Sequence, residues 1–344
     1  MSQDREPGRL EVGRPPDRIW ILGGWLIVAA VVAWVVIGVS GGSSTSLTPA
    51  PSSTASAGAA ASGSTSPSAR PSTTAAPVAP SVPALLPGGR HRIFEGDPFL
   101  VAYYGTAGNG ALGVLGERSP QVSDRRLRAQ AAKFAVLGRP VQTVYELIVT
   151  VADRYPGKHG AYSHDISRAA VQSWIDAAHR NNALVVLDIQ TGHADFLSVA
   201  KRWSWALADP WVGLALDPEW RMHGHAVPGH VIGHVDAAEI NRTSAWLSTF
   251  SRQRGLPEKI FMLHQFRQKM IRRPQLIKAR PGLAMVQHVD GFGTRSQKLA
   301  TYRSVARPRQ FSMGFKLFYD EDVNRMGPAA VGKIRPRVRF VSFQ

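Results

Sequence analysis

The feature that most constrains the fold is an alternation of short apolar segments with amphipathic ones, which runs from Phe99 to the end of the chain. Eight segments have the length and character of buried strands: 99–104, 143–152, 183–189, 211–217, 259–266, 282–289, 311–319 and 338–343. Their nearly continuous apolar runs are typical of parallel strands that are covered on both faces. Eight such strands alternating with helices over about 250 residues predict an α/β fold of the (β/α)8 barrel type. A doubly wound open sheet is the alternative.

The lengths of the connections favour the barrel. Connections that follow helices are short, whereas those that follow strands are long, as in 105–122, 153–164 and 218–235. Loops in α/β units usually have about 2–6 residues, and longer ones tend to be functional. Because barrels carry their active sites on the loops after the strands, we expect a site at the carboxyl ends of the strands.

A different kind of segment precedes the barrel. Residues 19–39 form an uncharged run of 21 residues, which would span about 31 Å as a helix and so cross a bilayer core. Four arginines precede it, and no Lys or Arg follows before Arg70. The positive-inside rule then predicts a cytoplasmic tail over 1–18, a signal-anchor helix over 19–39 and an extracytoplasmic remainder. A cleaved signal peptide and a buried soluble helix are the alternatives.

The next segment, 40–87, consists almost entirely of Ser, Thr, Ala, Pro and Gly. Such a composition buries too little apolar surface to offset the entropy of ordering, so we expect a disordered linker. The barrel domain is then assigned to 88–344. The chain has no cysteine, which excludes disulfides, thiolate metal sites and a cysteine nucleophile.

Polar residues at the predicted strand ends should converge on one pocket if the barrel is right. Four carboxyl groups are candidate catalytic residues: Glu219, Asp217, Asp188 and Asp290. Nine further side chains are candidate substrate-binding residues: Tyr103, Tyr104, Gln190, Trp220, His264, Gln265, Gln287, Lys316 and Tyr319. The alternative is that some of them cap helices or fill the barrel interior.

The sharpest motif is VGLALDPEW, residues 212–220. Asp217 and Glu219 are two apart on a predicted strand, so their side chains should point the same way. Two neighbouring carboxyl groups raise one pKa, which favours a general acid near neutral pH, and glycosidic cleavage uses such a carboxyl pair. Trp220 and Trp211 offer flat faces for sugar rings. Alternatively, Asp217 starts a turn and Trp220 belongs to the core.

This D-x-E at the end of the fourth strand resembles the catalytic motif of barrel glycoside hydrolases, both the chitinase-like enzymes and the barrel-type bacterial lysozymes. Against the chitinase pattern D-G-x-D-x-D-x-E, the chain keeps Gly213, Asp217 and Glu219 but has Val212 and Ala215 at two acidic positions. The resemblance implies that Glu219 is the general acid and that Asp217 orients the acetamido group of the substrate. The domain also resembles membrane-tethered actinobacterial cell-envelope proteins, which bring no activity with them.

Four histidines in the long loop after the fourth strand, His223, His225, His230 and His234, have the spacing H-x-H-x4-H-x3-H. This spacing is not a standard metalloprotease signature. We interpret the loop as a solvated lid and expect no metal; a zinc site is the alternative.

A G-x-G-x-x-G sequence at Gly108, Gly110 and Gly113 follows the first strand. A dinucleotide site would need a long helix next and an acid about twenty residues further on, and neither is evident. We expect a close-packed loop and no cofactor.

A dense basic stretch contains Arg267, Lys269, Arg272, Arg273, Lys278 and Arg280, with no acid between Lys259 and Val289. Nucleic acid is the usual partner of such a run, but the predicted topology places it outside the cell. An anionic wall polymer is then the better partner; a solvated basic helix and loop is the alternative.

Together these features predict a membrane-anchored, extracytoplasmic glycoside hydrolase-like barrel that acts on cell-envelope glycan, including anionic glycan, by carboxylate general acid/base catalysis. The alternative is a catalytically silent barrel that binds cell-wall polysaccharide as a scaffold. We expect contact with the membrane through the N-terminal helix and no nucleic-acid partner.

Overall fold

The computed structural model describes residues 84–157 and 159–344. The predictions for 1–18, for 19–39 and for nearly all of 40–87 therefore lie outside the described residues. In the part of the chain that is described, no helix is both long enough and apolar enough to cross a membrane.

Eight parallel strands form a closed barrel. They are β1 Phe99–Thr106, β2 Val141–Ala152, β3 Leu184–Ile189, β4 Val212–Leu216, β5 Lys259–Gln265, β6 Leu283–Val289, β7 Ser312–Leu317 and β8 Val338–Phe343. Each strand pairs with the next one in the chain, and β1 pairs with both β2 and β8, so the sheet has no open edge among these eight. The predicted (β/α)8 barrel is confirmed, and the doubly wound alternative is wrong because an open sheet would not close between β8 and β1.

Within the described part of the chain, seven α-helices surround the strands: α1 Pro120–Ala132, α2 Arg168–Asn181, α3 Phe196–Arg202, α4 Ser204–Leu207, α5 Ala237–Gln253, α6 Arg295–Val305 and α7 Pro328–Gly332. The connection from β5 to β6 instead holds two single 3₁₀ turns, Gln268–Met270 and Pro274–Leu276. Proline at 274 and 281 disfavours a continuous helix there. The basic stretch is therefore an irregular wall rather than a helix.

Side chains alternate between the two faces of each strand, so the domain has two separate apolar cores. One cluster of apolar side chains, which includes Ala102, Val144, Val186, Met262 and Phe340, contains no residue from the helices and fills the barrel interior. The other cluster packs the outer strand faces against the helices. Leu86 joins the inner cluster, so the packed part of the domain begins two residues before the predicted boundary at 88.

One glycine has a clear packing reason. A Cβ atom at Gly213 would lie 2.6 Å from the carbonyl oxygen of Ile260. Only glycine therefore lets β4 and β5 approach this closely at a position four residues before Asp217.

Side chains cap α6 and α2. Thr294 and Gln297 form a capping box at the start of α6. Ser167, rather than Asp165, caps α2, because Asp165 is held by Thr150 and Arg202.

The two acidic residues at the start of α5 have different roles. Asp236 caps the helix. Glu239 forms a buried ion pair with Arg221 at 2.9 Å instead of completing a capping box, which ties the loop after β4 to α5.

Candidate active site

Inward-facing polar side chains from several strands form a buried layer at the carboxyl end of the barrel. Its members are Tyr104 on β1, Glu146 on β2, Asp188 on β3, His264 on β5, His288 on β6, Lys316 on β7 and Ser342 on β8. Each lies on the same face of its strand as the interior residues below it, so the two-residue periodicity of the strand directs its side chain to the barrel axis.

His264 lies at the centre of this layer. Its Nδ1 is 3.0 Å from Asp290 Oδ2 and its Nε2 is 3.0 Å from Glu146 Oε1. Burial lowers the pKa of His264, but the charges of Asp188, Asp290 and Glu146 outweigh it and raise the pKa well above its usual value. The ring is therefore an imidazolium that faces one carboxylate on each side.

Asp290 is kept ionised by the same contact. Burial raises the pKa of Asp290, yet the hydrogen bond and charge of His264, together with the charge of Lys316, leave the pKa lowered. Lys316 Nζ is 3.9 Å from Asp290 Oδ2. A buried but charged carboxylate thus lies at the floor of the site.

Glu146 and His288 are site residues that the sequence analysis missed. Burial raises the pKa of Glu146, but the nearby rings of His288 and His264 lower it overall. His288 Nδ1 is 3.5 Å from Glu146 Oε1, and its Nε2 is 3.1 Å from Ser342 Oγ. The available signal was an ionisable residue at an inward position of an otherwise apolar strand.

The hydroxyl of Tyr104 forms hydrogen bonds with two neighbouring side chains at the floor of the site. It donates to Asp188 Oδ2 at 2.8 Å and accepts from Gln190 Nε2 at 3.3 Å. Lys316 Nζ lies 3.4 Å from the centroid of the Tyr104 ring. Burial and the charge of Glu146 raise the pKa of Asp188 to about 6, against the charge of His264. Asp188 is fully buried beneath Tyr104 and does not reach the cavity above.

The D-x-E motif is positioned by a turn rather than by strand alternation, which corrects the sequence argument. Strand β4 ends at Leu216, and Pro218–Trp220 forms a 3₁₀ turn that Asp217 caps by accepting from the Glu219 backbone N–H at 3.1 Å. Burial is the main cause that raises the pKa of both acids, well above the usual value for Asp217 and to about 7 for Glu219. For Glu219, Asp290 raises the pKa further, while Lys316 and His264 oppose the rise.

A cavity of about 180 Å³ opens above this layer. We call it the acidic pocket because its polar lining includes Asp217, Glu219 and Asp290, beside Tyr104, Gln190 and Lys316. Five aromatic side chains form much of its wall: Tyr155, Trp220, Phe266, Phe292 and Phe318. Trp220 is thus part of the pocket lining.

Five predicted binding residues do not line the pocket. His264 is buried beneath it. Tyr103, Gln265 and Gln287 lie on the opposite face of their strands and face the helices, and Tyr319 lies beyond the end of β7. Gln287 Nε2 donates to Gln265 Oε1 at 2.7 Å and to the Val305 carbonyl at 2.9 Å. Tyr103 and Tyr319 are joined through their hydroxyls at 3.3 Å. In the sequence each of the two glutamines adjoins the histidine that actually faces inward.

Trp211 is also distant from the site. It lies at the amino end of β4, stacked on His179 with ring centroids 4.2 Å apart. It therefore offers no face to a ligand at the carboxyl end of the barrel.

The histidine loop is closed on itself rather than gathered around an ion. His223 and His234 stack with centroids 4.4 Å apart, and His223 Nε2 donates to the His234 carbonyl at 2.8 Å. Among the described residues, the group with metal-ligand spacing is Glu146, His264 and His288, whose ligand atoms lie within 4.8 Å of one another. This donor set suits a divalent transition metal, but both ring nitrogens of His264 already face carboxylates.

The glycine-rich sequence forms a loop packed against β1. A Cβ atom at Gly113 would lie 2.3 Å from the Tyr104 carbonyl oxygen. One 3₁₀ turn, Gly110–Leu112, lies within it, and a second, Val114–Glu117, follows before α1 begins. This segment therefore does not open a helix at the glycines, as a dinucleotide site would require.

No family model and no curated protein sequence matches the chain. Among solved structures, a truncated 3-deoxy-D-arabino-heptulosonate 7-phosphate synthase from Thermotoga maritima is similar at 12% identity and a TM-score of 0.33, over 71% of this chain and 74% of that one. A 5-methylcytosine deaminase from Klebsiella pneumoniae with bound 5-fluorocytosine is similar at 11% identity and a TM-score of 0.32, over 65% of this chain and 48% of that one. The chain thus spans about half the length of the deaminase. Similarity at this level has no bearing on activity, and the barrel is established by its strand pairing.

Proposed function

We propose that the protein is a membrane-anchored, extracytoplasmic glycoside hydrolase that acts on cell-envelope glycan. The observation that carries the proposal is the pair Glu219 and Asp290 in the acidic pocket. Their pKa values are displaced in opposite directions, to about 7 for Glu219 and below the usual value for Asp290. One protonated and one ionised carboxyl group in a single pocket is the combination that glycosidic cleavage needs.

Glu219 is the proposed general acid. Its raised pKa keeps a large fraction protonated near neutral pH, and that form donates to the leaving glycosidic oxygen. Asp217 accepts the Glu219 backbone N–H and so fixes the turn that presents the acid. Asp217 also lines the pocket, where it contacts the substrate.

Asp290 is the proposed carboxylate partner. In its ionised form it either stabilises the positive charge that develops on the sugar ring or activates the attacking water. Asp188 acts indirectly, because it holds the hydroxyl of Tyr104 and is itself covered. It is therefore a positioning residue rather than a catalytic one.

The remaining lining suits a sugar. Tyr155 is 57% exposed and Phe292 is 36% exposed at the mouth. Such rings offer flat apolar faces to the C–H surfaces of a pyranose, while Gln190 and Lys316 supply hydrogen-bond donors to its hydroxyl groups.

The ion pairing favours an enzyme over a silent scaffold. Within 84–157 and 159–344, Glu219 has no cationic partner within 4.0 Å, whereas Lys316 is directed to Asp290 and to the Tyr104 ring. A permanent salt bridge would have removed the proton that general acid catalysis requires. The mechanism invokes no cofactor.

The cellular location rests on the sequence. The uncharged run 19–39 and its arginine flank support an anchor, and the composition of 40–87 supports a tether long enough to hold the barrel within a cell wall. With this topology, envelope glycan rather than nucleic acid is the polymer within reach.

The test uses the full-length chain in detergent, incubated with a panel of purified cell-envelope glycans and followed by reducing-end release and mass spectrometry. We expect cleavage of at least one glycan and a loss of at least about 100-fold in turnover for Glu219→Gln. Glu117→Gln is the matched control, because Glu117 is half-exposed and outside the pocket. Equal turnover in parent and Glu219→Gln would show that Glu219 is not the acid. Binding of wall polymer without any cleavage by the parent would favour the scaffold.

A further inference from the structure

A second cavity, of about 510 Å³, adjoins the acidic pocket. Four side chains line both spaces: Glu219, Trp220, Phe266 and Phe292. The two cavities are therefore neighbouring parts of one cleft, with the proposed general acid at their junction.

The two parts differ in the ionisable groups that line them. The second cavity is lined by Arg267, Lys269 and Arg272, with His230 and His234 beside them, and Glu219 is its only acid. We call it the cationic vestibule. Within the described residues, none of its three permanent cations has a carboxylate partner within 4.0 Å, whereas the adjacent Arg273 is paired with Asp236 at 2.7 Å. The vestibule cations are thus free to meet a ligand.

The wall that carries these cations is braced. Residues Ile271–Arg272 pair as a short parallel ladder with Val235–Asp236. Met270 is buried, and its sulfur accepts from the Phe266 backbone N–H at 3.4 Å. The backbone that presents the cations is therefore tied to the loop after β4, which also carries the general acid.

We propose that the cationic vestibule is a substrate subsite for an acidic substituent, so that the substrate is a glycan bearing carboxylate or phosphate groups. This inference rests on the proposed function and names its substrate class. A sugar ring enters the acidic pocket, and the next part of the chain places its anionic group among Arg267, Lys269 and Arg272.

The distribution of charge along the cleft disfavours nucleic acid as its ligand. A polynucleotide carries a phosphate at every residue, so the segment that entered the acidic pocket would bring its charge against the ionised carboxylate of Asp290. A glycan with acidic substituents on only some of its residues can present a neutral ring for cleavage and carry its charge on a neighbouring residue. The glycan therefore places its neutral part in the acidic pocket and its charge in the vestibule.

The test measures binding in a Glu219→Gln background of the full-length chain, so that cleavage does not interfere. Four probes are compared by calorimetry at low and high ionic strength: an oligosaccharide in which uronic acid residues alternate with neutral sugars, its carboxyl-reduced neutral form, a neutral oligosaccharide that carries one phosphate ester and a single-stranded DNA oligonucleotide. The first and third probes distinguish carboxylate from phosphate as the source of charge. The test variant carries Arg267→Gln, Lys269→Gln and Arg272→Gln. The control carries Arg125→Gln, Arg252→Gln and Arg309→Gln, which remove the same charge from exposed positions outside both cavities.

We expect an acidic glycan to bind at least about tenfold more tightly than the neutral form, with the preference lost in the test variant, retained in the control and weakened by salt. Equal binding of acidic and neutral probes, failure of both acidic glycans to bind, or equal losses in test and control variants would overturn the inference. Tightest binding of DNA through the same three residues would replace glycan by nucleic acid. Selective binding without cleavage by the parent would leave this subsite in place and remove only the hydrolase proposal.

Discussion

His264 Nδ1 lies 3.0 Å from Asp290 Oδ2, and the opposite ring nitrogen lies 3.0 Å from Glu146 Oε1. One fully buried imidazolium thus supports two carboxylates from different strands. The arrangement explains how Asp290 stays ionised in a site where burial alone would protonate it. It also provides the electrostatic contrast with Glu219 on which the proposed mechanism depends.

Replacing His264 should therefore change the pH dependence of activity as well as stability. In His264→Gln the positive charge is lost, so the pKa of Asp290 should rise and the acidic limb of the pH–turnover profile should move upward. Unfolding should become easier by about 3–5 kcal/mol, because buried carboxylates lose their partner. A double variant with Glu146→Gln should recover part of that stability. An unmoved acidic limb would show that His264 does not set the charge of Asp290.

The same contact makes stability depend on pH. The folded pKa of His264 is raised above its unfolded value of about 6.5, so its contribution is complete below that value and is lost as the pH rises through the folded pKa. Denaturant titrations should show stability falling with rising pH above about 6.5 in the parent. The slope should be smaller in His264→Gln. Identical slopes would assign the dependence to other groups.

The pKa of Glu219 should set the alkaline limb of the pH–turnover profile. Its pKa of about 7 means that turnover should fall as the pH rises through that value, since only the protonated form donates. The measurement is the pH profile of turnover on any glycan that the parent cleaves. A profile that stays flat through neutral pH and falls only above it would contradict the assignment of the acid.

The ion pair between Arg221 and Glu239 should stabilise the loop that carries the D-x-E motif. Both side chains are about nine-tenths buried, and Glu239 also accepts the Phe196 backbone N–H at 2.9 Å. Glu239→Ala should cost about 3–5 kcal/mol because Arg221 is left charged and buried. Glu117→Ala, which breaks the half-exposed pair with Arg126, should cost less than about 1 kcal/mol. Similar losses of stability in the two variants would show that the buried pair stabilises the fold no more than the half-exposed pair does.

Metal removal tests the interpretation of the barrel floor. Because both nitrogens of His264 face carboxylates, we expect a chelator and added zinc to leave the melting temperature unchanged. A chelator-sensitive melting temperature that disappears in Glu146→Gln would instead assign a metal to Glu146, His264 and His288.

The barrel was predictable because its strands are nearly continuous apolar runs and because the loops that follow the strands are long whereas those that follow the helices are short. The position of a side chain at the barrel axis was predictable where the residue continues the inward alternation of its strand, as with Tyr104, Asp188 and His264. The prediction failed by one position for Gln265 and Gln287, since a single-residue shift moves a side chain from the axis to the helix layer.

Two further errors have local causes. Trp211 lies at the amino end of β4, whereas Trp220 lies beyond its carboxyl end. The two tryptophans were assigned to one site because the motif was treated as a single unit. Glu146 was overlooked within an apolar strand, where a charge is stable only beside partners such as His264 and His288 from strands distant in sequence. Such pairing is visible only once the barrel is closed.

The central claim, that Glu219 donates the proton to the leaving group, is tested most directly by varying the leaving group. On the sugar that the parent cleaves, Glu219→Gln should lose at least about 100-fold in turnover with the natural glycosidic bond. It should keep most activity on a dinitrophenyl glycoside, whose leaving group needs no proton. Asp290→Asn should lose activity on both substrates. Equal losses on the two substrates in Glu219→Gln, or no loss on either, would contradict the account.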